Sequence, residues 1–501
     1  MPSVQTLPDL LLRAAEASPD AEALVYRSVR MSYRELHDRT ETCARVLVGA
    51  GVRPGDPVAL VAGNHPGFAV GLLASLRAGG IAVPINPQFR RRELEMLLAD
   101  TSVAAILADG ERIDLCREAG GVVADAPLLL LGESGRLEGD APAEAELPEA
   151  TSADAPAICQ YSTGTTGRPK RVVRTHRQFV EEIDALHQRL RTGPDDVTLG
   201  SIPLFHSHGL CNGLWATIRS GGRLVLTGGF YARAILNLIE SEGVTIWPTV
   251  PFMVRILTEM PGPAERPLPT LRLVFSAGAP LDADVARRFG DRYGIQVRQL
   301  YGCTEMGAIC INDDGPLPET LDSVGTPLPG NEFAVFDEAD SELPEGENGA
   351  VAVWGLGLAS GYDWADDKAR ASFRGGRFFP GDLGSIDSEG RLRLAGRTQL
   401  FINVGGSKVD PEEVERVLGS HADVADVAVV RAPHPYYGET VKAVIVPREG
   451  VQPDENELRR HCRESLADYK VPKTLVVRDR IPRSATGKVL RKYLEDEELE
   501  G

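Results

Sequence analysis

The chain reads as an α/β protein that ends in a small α+β module, and three features of the sequence carry that reading. From residue 7 to residue 300, strand-like and helical apolar patterns alternate with short Gly, Pro and Asn connectors. That alternation is what parallel βαβ units require. Between residues 326 and 394 the texture changes to short β-like runs broken by glycines, which points to a small barrel or distorted sheet. From about residue 396 a compact run of strands and helices follows.

Taken in order, residues 7–17 place apolar side chains at helical spacing, 23–26 form a short strand, and 33–49 form an amphipathic helix that stops at a glycine. Residues 57–62 read as a buried strand, 68–78 as a helix and 81–84 as another strand. The stretch 133–154, rich in Gly, Glu, Ala and Pro and without a period, reads as a loop. Helices are expected at 179–190, 209–219 and 232–242, and strands at 197–202, 223–226, 245–248, 271–276 and 296–300. Within the β-rich region, 332–336 and 349–354 are the clearest strands. The last module is expected to hold strands at 400–404, 424–431, 440–446 and 473–477 and helices at 411–418 and 455–465. No tandem repeat is evident.

At 501 residues, with 43% hydrophobic and 25% charged residues, the chain is long enough for two or more domains and a large core. A net charge of -18 argues against a nucleic-acid-coating surface, so any bound anion needs a locally basic pocket. Seven scattered cysteines without C-x-x-C spacing read as reduced thiols rather than disulfides or a zinc site. No apolar run approaches the roughly 20 residues that span a bilayer, and a soluble cytoplasmic protein is expected.

The chemistry centres on residues 161–176, Y-S-T-G-T-T-G-R-P-K-R-V-V-R-T-H. Thr163, Gly164, Thr165, Thr166 and Gly167 are small, hydroxylated or glycine, and Lys170 follows. Glycines let backbone amides approach an anion, hydroxyls donate to its oxygens and an ammonium adds charge, so a phosphate loop is implied over an ordinary polar turn. The spacing is not G-x-x-x-x-G-K-[ST], and another nucleotide-binding architecture must be sought. Tyr301 to Gly307 read Y-G-C-T-E-M-G, placing Thr304 and Glu305 at a strand's carboxyl end, where open α/β sheets bind ligands. A carboxylate there suits Mg²⁺, which takes one or two acidic oxygens plus phosphate and water. Asp382, between Gly381 and a Leu-Gly pair, could accept from both hydroxyls of a ribose or could sit in a plain turn. Gly396 and Arg397 open the last module, and P-R-S-A-T-G-K-V-L, with Lys488, closes it.

Together these motifs resemble, in order and along nearly the whole chain, the adenylate-forming superfamily of acyl-CoA synthetases, luciferases and peptide-synthetase adenylation domains. The resemblance implies a large N-terminal domain, 1–396, of two αβαβα-type sheet subdomains plus a β-barrel, and a small mobile α+β C-terminal domain, 397–501, hinged near Gln399. It also implies two half-reactions. A carboxylate attacks the α-phosphate of ATP to give an acyl-adenylate and pyrophosphate, and a thiol, usually that of coenzyme A, then displaces AMP.

Carried over residue by residue, Thr163, Gly164, Thr165, Thr166, Gly167 and Lys170 match the β- and γ-phosphate loop. Gly278, Ala279 and Pro280 resemble the adenine-lining stretch, with Tyr301 stacked on the base. Thr304 resembles the α-phosphate contact, Glu305 the Mg²⁺ ligand, Asp382 the ribose acceptor and Arg397 a ribose or phosphate contact. Lys488 matches the lysine that bridges carboxylate and α-phosphate, and Gly405 and Gly406 the loop that admits the pantetheine thiol. His206, in P-L-F-H-S-H-G, stands where acyl and aryl activators often carry a histidine, which disfavours an amino-acid substrate. His206, Trp247, Gly278, Gly302, Met306 and Gly307 are the expected acyl-pocket residues, the glycines leaving room for a bulky group.

The sequence departs from the family pattern at Arg171, where glycine is usual, with a further arginine at Arg174. It departs also at Gln399, Leu400 and Pro380. A long cation at Arg171 would either disturb the triphosphate or point away from it. Three functions remain open: a full acyl- or aryl-CoA ligase, a half-enzyme that adenylates for a carrier-protein thiol or thioesterifies a ready-made acyl-adenylate, and a non-catalytic scaffold. A monomer or a homodimer is expected, without nucleic-acid or membrane partners.

Overall fold

The structure, a computed structural model, describes residues 5–123, 125–138, 145–149, 151–162, 170–313, 320–364, 367–397, 401–482, 489 and 491–495. They fall into two compact units. The larger takes most of the chain up to residue 397; the smaller takes the described residues from 401 onward together with Gln88–Leu97 and Lys170.

The larger unit is built on three sheets. The first has nine strands in the spatial order Thr326–Pro327, Gly307–Ile311, Val297–Cys303, Leu273–Ser276, Ile246–Thr249, Val197–Gly200, Arg223–Leu226, Glu22–Tyr26, Val29–Ser32. From Val297–Cys303 to Glu22–Tyr26 its strands run parallel, so their carboxyl ends share one edge. The second has eight strands and is parallel from Pro156–Ser162 through Ile81–Pro84, Pro57–Val61 and Ala105–Ala108 to Leu128–Leu131. The third is antiparallel and six-stranded, around Asn331–Phe336, Gly349–Gly355, Asp382–Ile386 and Leu392–Arg397, in the region expected to hold a barrel or distorted sheet. The core between helices and sheets is apolar and closed, with Leu7, Tyr33, Leu72, Phe179 and Trp215 among its fully buried members.

Local chemistry explains most element boundaries. Thr6 caps Leu7–Ala17 and Ser32 caps Tyr33–Gly49, each in a reciprocal box with an acidic residue three positions on. The helix expected at 179–190 begins earlier, at His176, because Thr175 forms such a box with Gln178. Pro66, pre-set for the first helical turn, opens Pro66–Arg77 two residues before the expected start. The helix expected at 209–219 is broken into Ser207–Gly209, a π-helical stretch Leu210–Trp215, and Ala216–Ser220. Gly209 lies so close to the backbone of Pro203 that a Cβ would fall 2.3 Å from its carbonyl oxygen. Within 133–154 a short strand, Leu137–Glu138, pairs with Leu128–Leu131.

The smaller unit has a five-stranded sheet, with Ser407–Val409, Ile402–Val404, Gly438–Pro447 and Val424–His434 in order and Thr474–Val477 pairing with Gly438–Pro447. Helices Pro411–Gly419 and Glu455–Ser465 cover it over a core that includes Val414, Leu418, Val441, Ile445 and Cys462. All seven cysteines are free thiols. Among the described residues no helix is long and apolar enough to cross a membrane.

Candidate active site

Thr304, Glu305 and Met306 form the turn of a hairpin between Val297–Cys303 and Gly307–Ile311, so the strand carries them three residues beyond the expected end. Glu305 is 6% exposed. Its Oε1 accepts from the Tyr362 hydroxyl at 2.7 Å, and its carbonyl accepts from the Ala359 amide at 2.8 Å. Tyr362 is itself wedged edge-on against Phe373, with ring centroids 5.1 Å apart. Burial first, and then the neighbouring Glu305 charge, push the Tyr362 hydroxyl well above its ordinary range, so it stays a donor.

Tyr301, on the same strand, is 7% exposed, and its hydroxyl donates to Asp382 Oδ2 at 2.5 Å. Two residues eighty-one positions apart, both singled out from the sequence, thus meet. Asp382 opens the strand Asp382–Ile386 directly after Gly381, whose φ of 83° suits only glycine without strain. Its strand partner is Arg397. On the neighbouring parallel strand the chain leaves the sheet at Ser276 through Ala277, Gly278, Ala279 and Pro280. Gly278 has a φ of 86°, and a Cβ there would have nothing within 4 Å.

The wall next to these strand ends comes from the segment after Val197–Gly200. His206 is exposed and stacks at 4.2 Å on Phe205. Sequence reasoning missed the residues that follow it. His208, half-buried, donates through Nε2 to the Thr249 carbonyl at 2.9 Å and meets Asn212 through Nδ1 at 2.7 Å. Burial pushes its imidazolium down to about 4, so the ring is neutral at physiological pH. Ser207 donates to Gln160 at 2.8 Å. The available signal is the second histidine in P-L-F-H-S-H-G.

Three expected pocket residues are corrected. Trp247 is fully buried, donates to Ser201 at 2.9 Å and packs on Phe289 in the core. Gly302 and Gly307 are small for a different reason than acyl room. A Cβ at Gly302 would lie 2.4 Å from the Gly307 carbonyl oxygen, and one at Gly307 would lie 2.1 Å from the Glu182 carboxylate. Of the expected pocket glycines Gly278, Gly302 and Gly307, only Gly278 opens onto space.

Arg171 and Arg174 are each engaged by a carboxylate. Arg171 Nη2 pairs with Asp363 at 2.5 Å, and its Nη1 donates to the Asp100 carbonyl at 2.8 Å. Arg174, 1% exposed, pairs with the equally buried Glu182 at 2.8 Å. Lys170 starts the strand Lys170–Thr175 and is half-buried. Thr163, Gly164, Thr165, Thr166, Gly167, Lys488, Gln399, Leu400 and the side chain of Arg397 lie outside the described residues. In the smaller unit Gly405 and Gly406 have φ of 58° and 93°; the Gly406 amide donates to Asn403 at 2.9 Å.

Among the described residues no three His, Cys, Asp or Glu side chains gather into a metal cage. One buried, oriented carboxylate beside a threonine hydroxyl still fits Mg²⁺, which is held jointly with nucleotide phosphates rather than by a protein cage.

Residues 11–363 match the family described as AMP-binding enzyme, and residues 413–488 match its C-terminal domain. The chain belongs to the AMP-binding enzyme family. Such enzymes are ATP-dependent, AMP-forming ligases. The chain is 32% identical over 482 residues to a feruloyl-CoA synthase of an Amycolatopsis species, covering 96% of each. Among solved structures it resembles o-succinylbenzoate-CoA synthetase from Bacillus subtilis, with a TM-score of 0.87, 28% identity and 98% of each chain covered. It resembles equally an amide bond synthetase from Marinactinospora thermotolerans, with a TM-score of 0.89, 28% identity, and 98% and 99% covered.

Proposed function

We propose that this AMP-binding enzyme activates a non-amino-acid carboxylic acid as its acyl-adenylate and transfers the acyl group to the thiol of coenzyme A. The observation that carries the reading is the meeting of Tyr301 with Asp382 beside the buried, Tyr362-held Glu305. In that arrangement Asp382 keeps one carboxylate oxygen fixed by Tyr301 while accepting from the ribose hydroxyls of ATP. Tyr301 offers its ring face to the adenine beside Gly278, Ala279 and Pro280. Thr304 donates to the α-phosphate that the substrate carboxylate attacks, and Lys488 adds a positive charge as the pentavalent centre forms. Mg²⁺ held by Glu305 would neutralise the charge of the departing pyrophosphate. Thr163 to Gly167 with Lys170 would hold the β- and γ-phosphates, and Arg171, being engaged elsewhere, leaves them clear.

The segment 203–215 carries no acidic residue that could hold a substrate ammonium, and this supports an acid without an α-amino group. The two CoA synthetases above are named for aromatic acids, and the wall of His208 near Phe275, 5.9 Å between ring centroids, suits a ring. The domain boundary near 397 and the hinge at Gln399 belong to the same proposal, as do Gly405 and Gly406 as the thiol's entry. A second reading, that the acceptor is an amine or a carrier-protein thiol, is supported by the likeness to the amide bond synthetase and, at 30% identity over 519 residues, to a fatty acid–(acyl-carrier-protein) ligase of Streptomyces coeruleorubidus.

The test uses purified protein, ATP, Mg²⁺ and a panel of aromatic acids, alkanoates and amino acids. Pyrophosphate release is followed with acid alone and AMP release after adding coenzyme A, with synthetic acyl-adenylates run in parallel. Both releases with one acid are expected. Consumption of adenylates with no pyrophosphate release would show a thioesterifying half-enzyme, and pyrophosphate release without a CoA thioester would show a different acceptor.

A further inference from the structure

We propose that Arg174 and Glu182 act as a positioning pair that sets the Thr304 and Glu305 turn for the adenylating step. The inference rests on the ATP-dependent activation proposed above. Both side chains are 1% exposed, and a buried ion pair is rarely the most stable filling for such a space. What the charges provide is direction.

Glu182 reaches the hairpin from the helix His176–Leu190. Its Oε1 accepts from the Ala308 amide at 2.9 Å. Its carboxylate lies where a Gly307 side chain would be, and the φ of 82° at Gly307 keeps that backbone close. Arg174 reaches the opposite side. Its Nε donates to the Gly357 carbonyl at 2.9 Å, its Nη2 to the Gln178 carbonyl at 3.2 Å, and its guanidinium lies 4.2 Å over the Phe179 ring.

Gly357 belongs to the strap between Gly349–Gly355 and Tyr362–Trp364, and this strap holds Glu305. Ala359 donates to the Glu305 carbonyl, Tyr362 donates to its carboxylate, and Gln178 fixes the Leu358 carbonyl at 2.7 Å. A Cβ at Gly357 would come within 2.9 Å of the Met306 carbonyl oxygen, so strap and turn are in direct contact. One ion pair therefore grips the hairpin just after the turn and the strap just before Tyr362, with the Glu305 carboxylate fixed between the two grips.

The test compares wild type with Glu182→Gln, which keeps an acceptor for Ala308, and with the double variant Arg174→Met/Glu182→Leu, which removes both charges and keeps volume. Thermal unfolding, amide exchange at Ala308 and Ala359 without nucleotide, pyrophosphate release, and thioester formation from a synthetic acyl-adenylate are measured on each. In the double variant, exchange at both amides should quicken about 10-fold or more while the fold is retained. Its pyrophosphate release should fall roughly 10- to 100-fold, and thioester formation should change by less than about 3-fold. Glu182→Gln should show the same selectivity with smaller factors. Unchanged exchange and pyrophosphate release in either folded variant would overturn the proposal, as would equal loss of both half-reactions. If wild type releases no pyrophosphate with any acid, the functional reading fails, and exchange at Ala359 still decides whether the pair holds the strap.

Discussion

Arg171 and Arg174 leave the same strand three residues apart and therefore on opposite faces, and the protein treats them in opposite ways. Arg171 lies at a rim: its side chain is 21% exposed and its partner Asp363 is 52% exposed. Arg174 and Glu182 are sealed from water. Identical chemistry, a guanidinium against a carboxylate, is thus a weak, solvent-shared clasp in one place and an obligatory buried pair in the other. Each of these two arginines meets a carboxylate that the fold brings to it, Asp363 from a separate strand and Glu182 from the helix that follows, and the depth of the pair sets what its loss would do.

The largest effect is expected on removing one partner of the deep pair. Glu182→Ala should destabilise the larger unit by about 3–5 kcal/mol, because it strands a buried guanidinium. Removing Arg174 as well should recover part of that loss, and the coupling should appear in a double-mutant cycle of urea midpoints. Equal, small and additive effects would mean that water reaches the pair.

A third residue of the same arm, His176, is buried with only the weaker pull of the Asp9 charge against its desolvation. It is 1% exposed, its Nδ1 accepts from the Leu7 amide at 3.3 Å, and burial pushes its pKa down to about 4. Since the unfolded chain takes up this proton near pH 6.5 and the folded one only near 4, the contribution is complete above 6.5. It is lost as pH falls through that window, by roughly 3 kcal/mol in total. His176→Asn, which keeps an acceptor near the Leu7 amide, should flatten the slope of stability against pH between 6.5 and 4. An unchanged slope would place the acid sensitivity in other groups.

These partners also show why the sequence was legible only in part. Helix Leu7–Ala17, strand Arg223–Leu226 and helix Glu455–Ser465 are readable because period, cap and stop agree along a few residues. Helix Ala283–Tyr293 was equally signalled, by the Asp282 cap and a left-handed Gly294, and went unassigned. Tyr301, Glu305 and Asp382 could be picked out as motif residues, but nothing local says that Tyr301 will donate to Asp382 or that Tyr362 will hold Glu305. Gly302 and Gly307 read as pocket space because the sequence shows a missing side chain and not what occupies its place. Glu182 carries no motif at all, and only the fold brings it under the hairpin.

The smallest effect is expected at the rim. Arg171→Gly removes an exposed pair worth at most about 1 kcal/mol and adds a similar strand penalty for glycine, so a total near 1–2 kcal/mol should be seen in the urea midpoint. The informative readout is the KM for ATP in pyrophosphate release. Nη2 is held by Asp363 and Nη1 by the Asp100 carbonyl, so both ends of the guanidinium are already engaged. The family's glycine should then bring KM within about 2-fold of wild type, since no obstruction is relieved. A drop of about 10-fold or more would mean that Arg171 leaves Asp363 to meet the triphosphate, and the rim clasp would then be a competitor of the nucleotide rather than a resting place for a displaced cation.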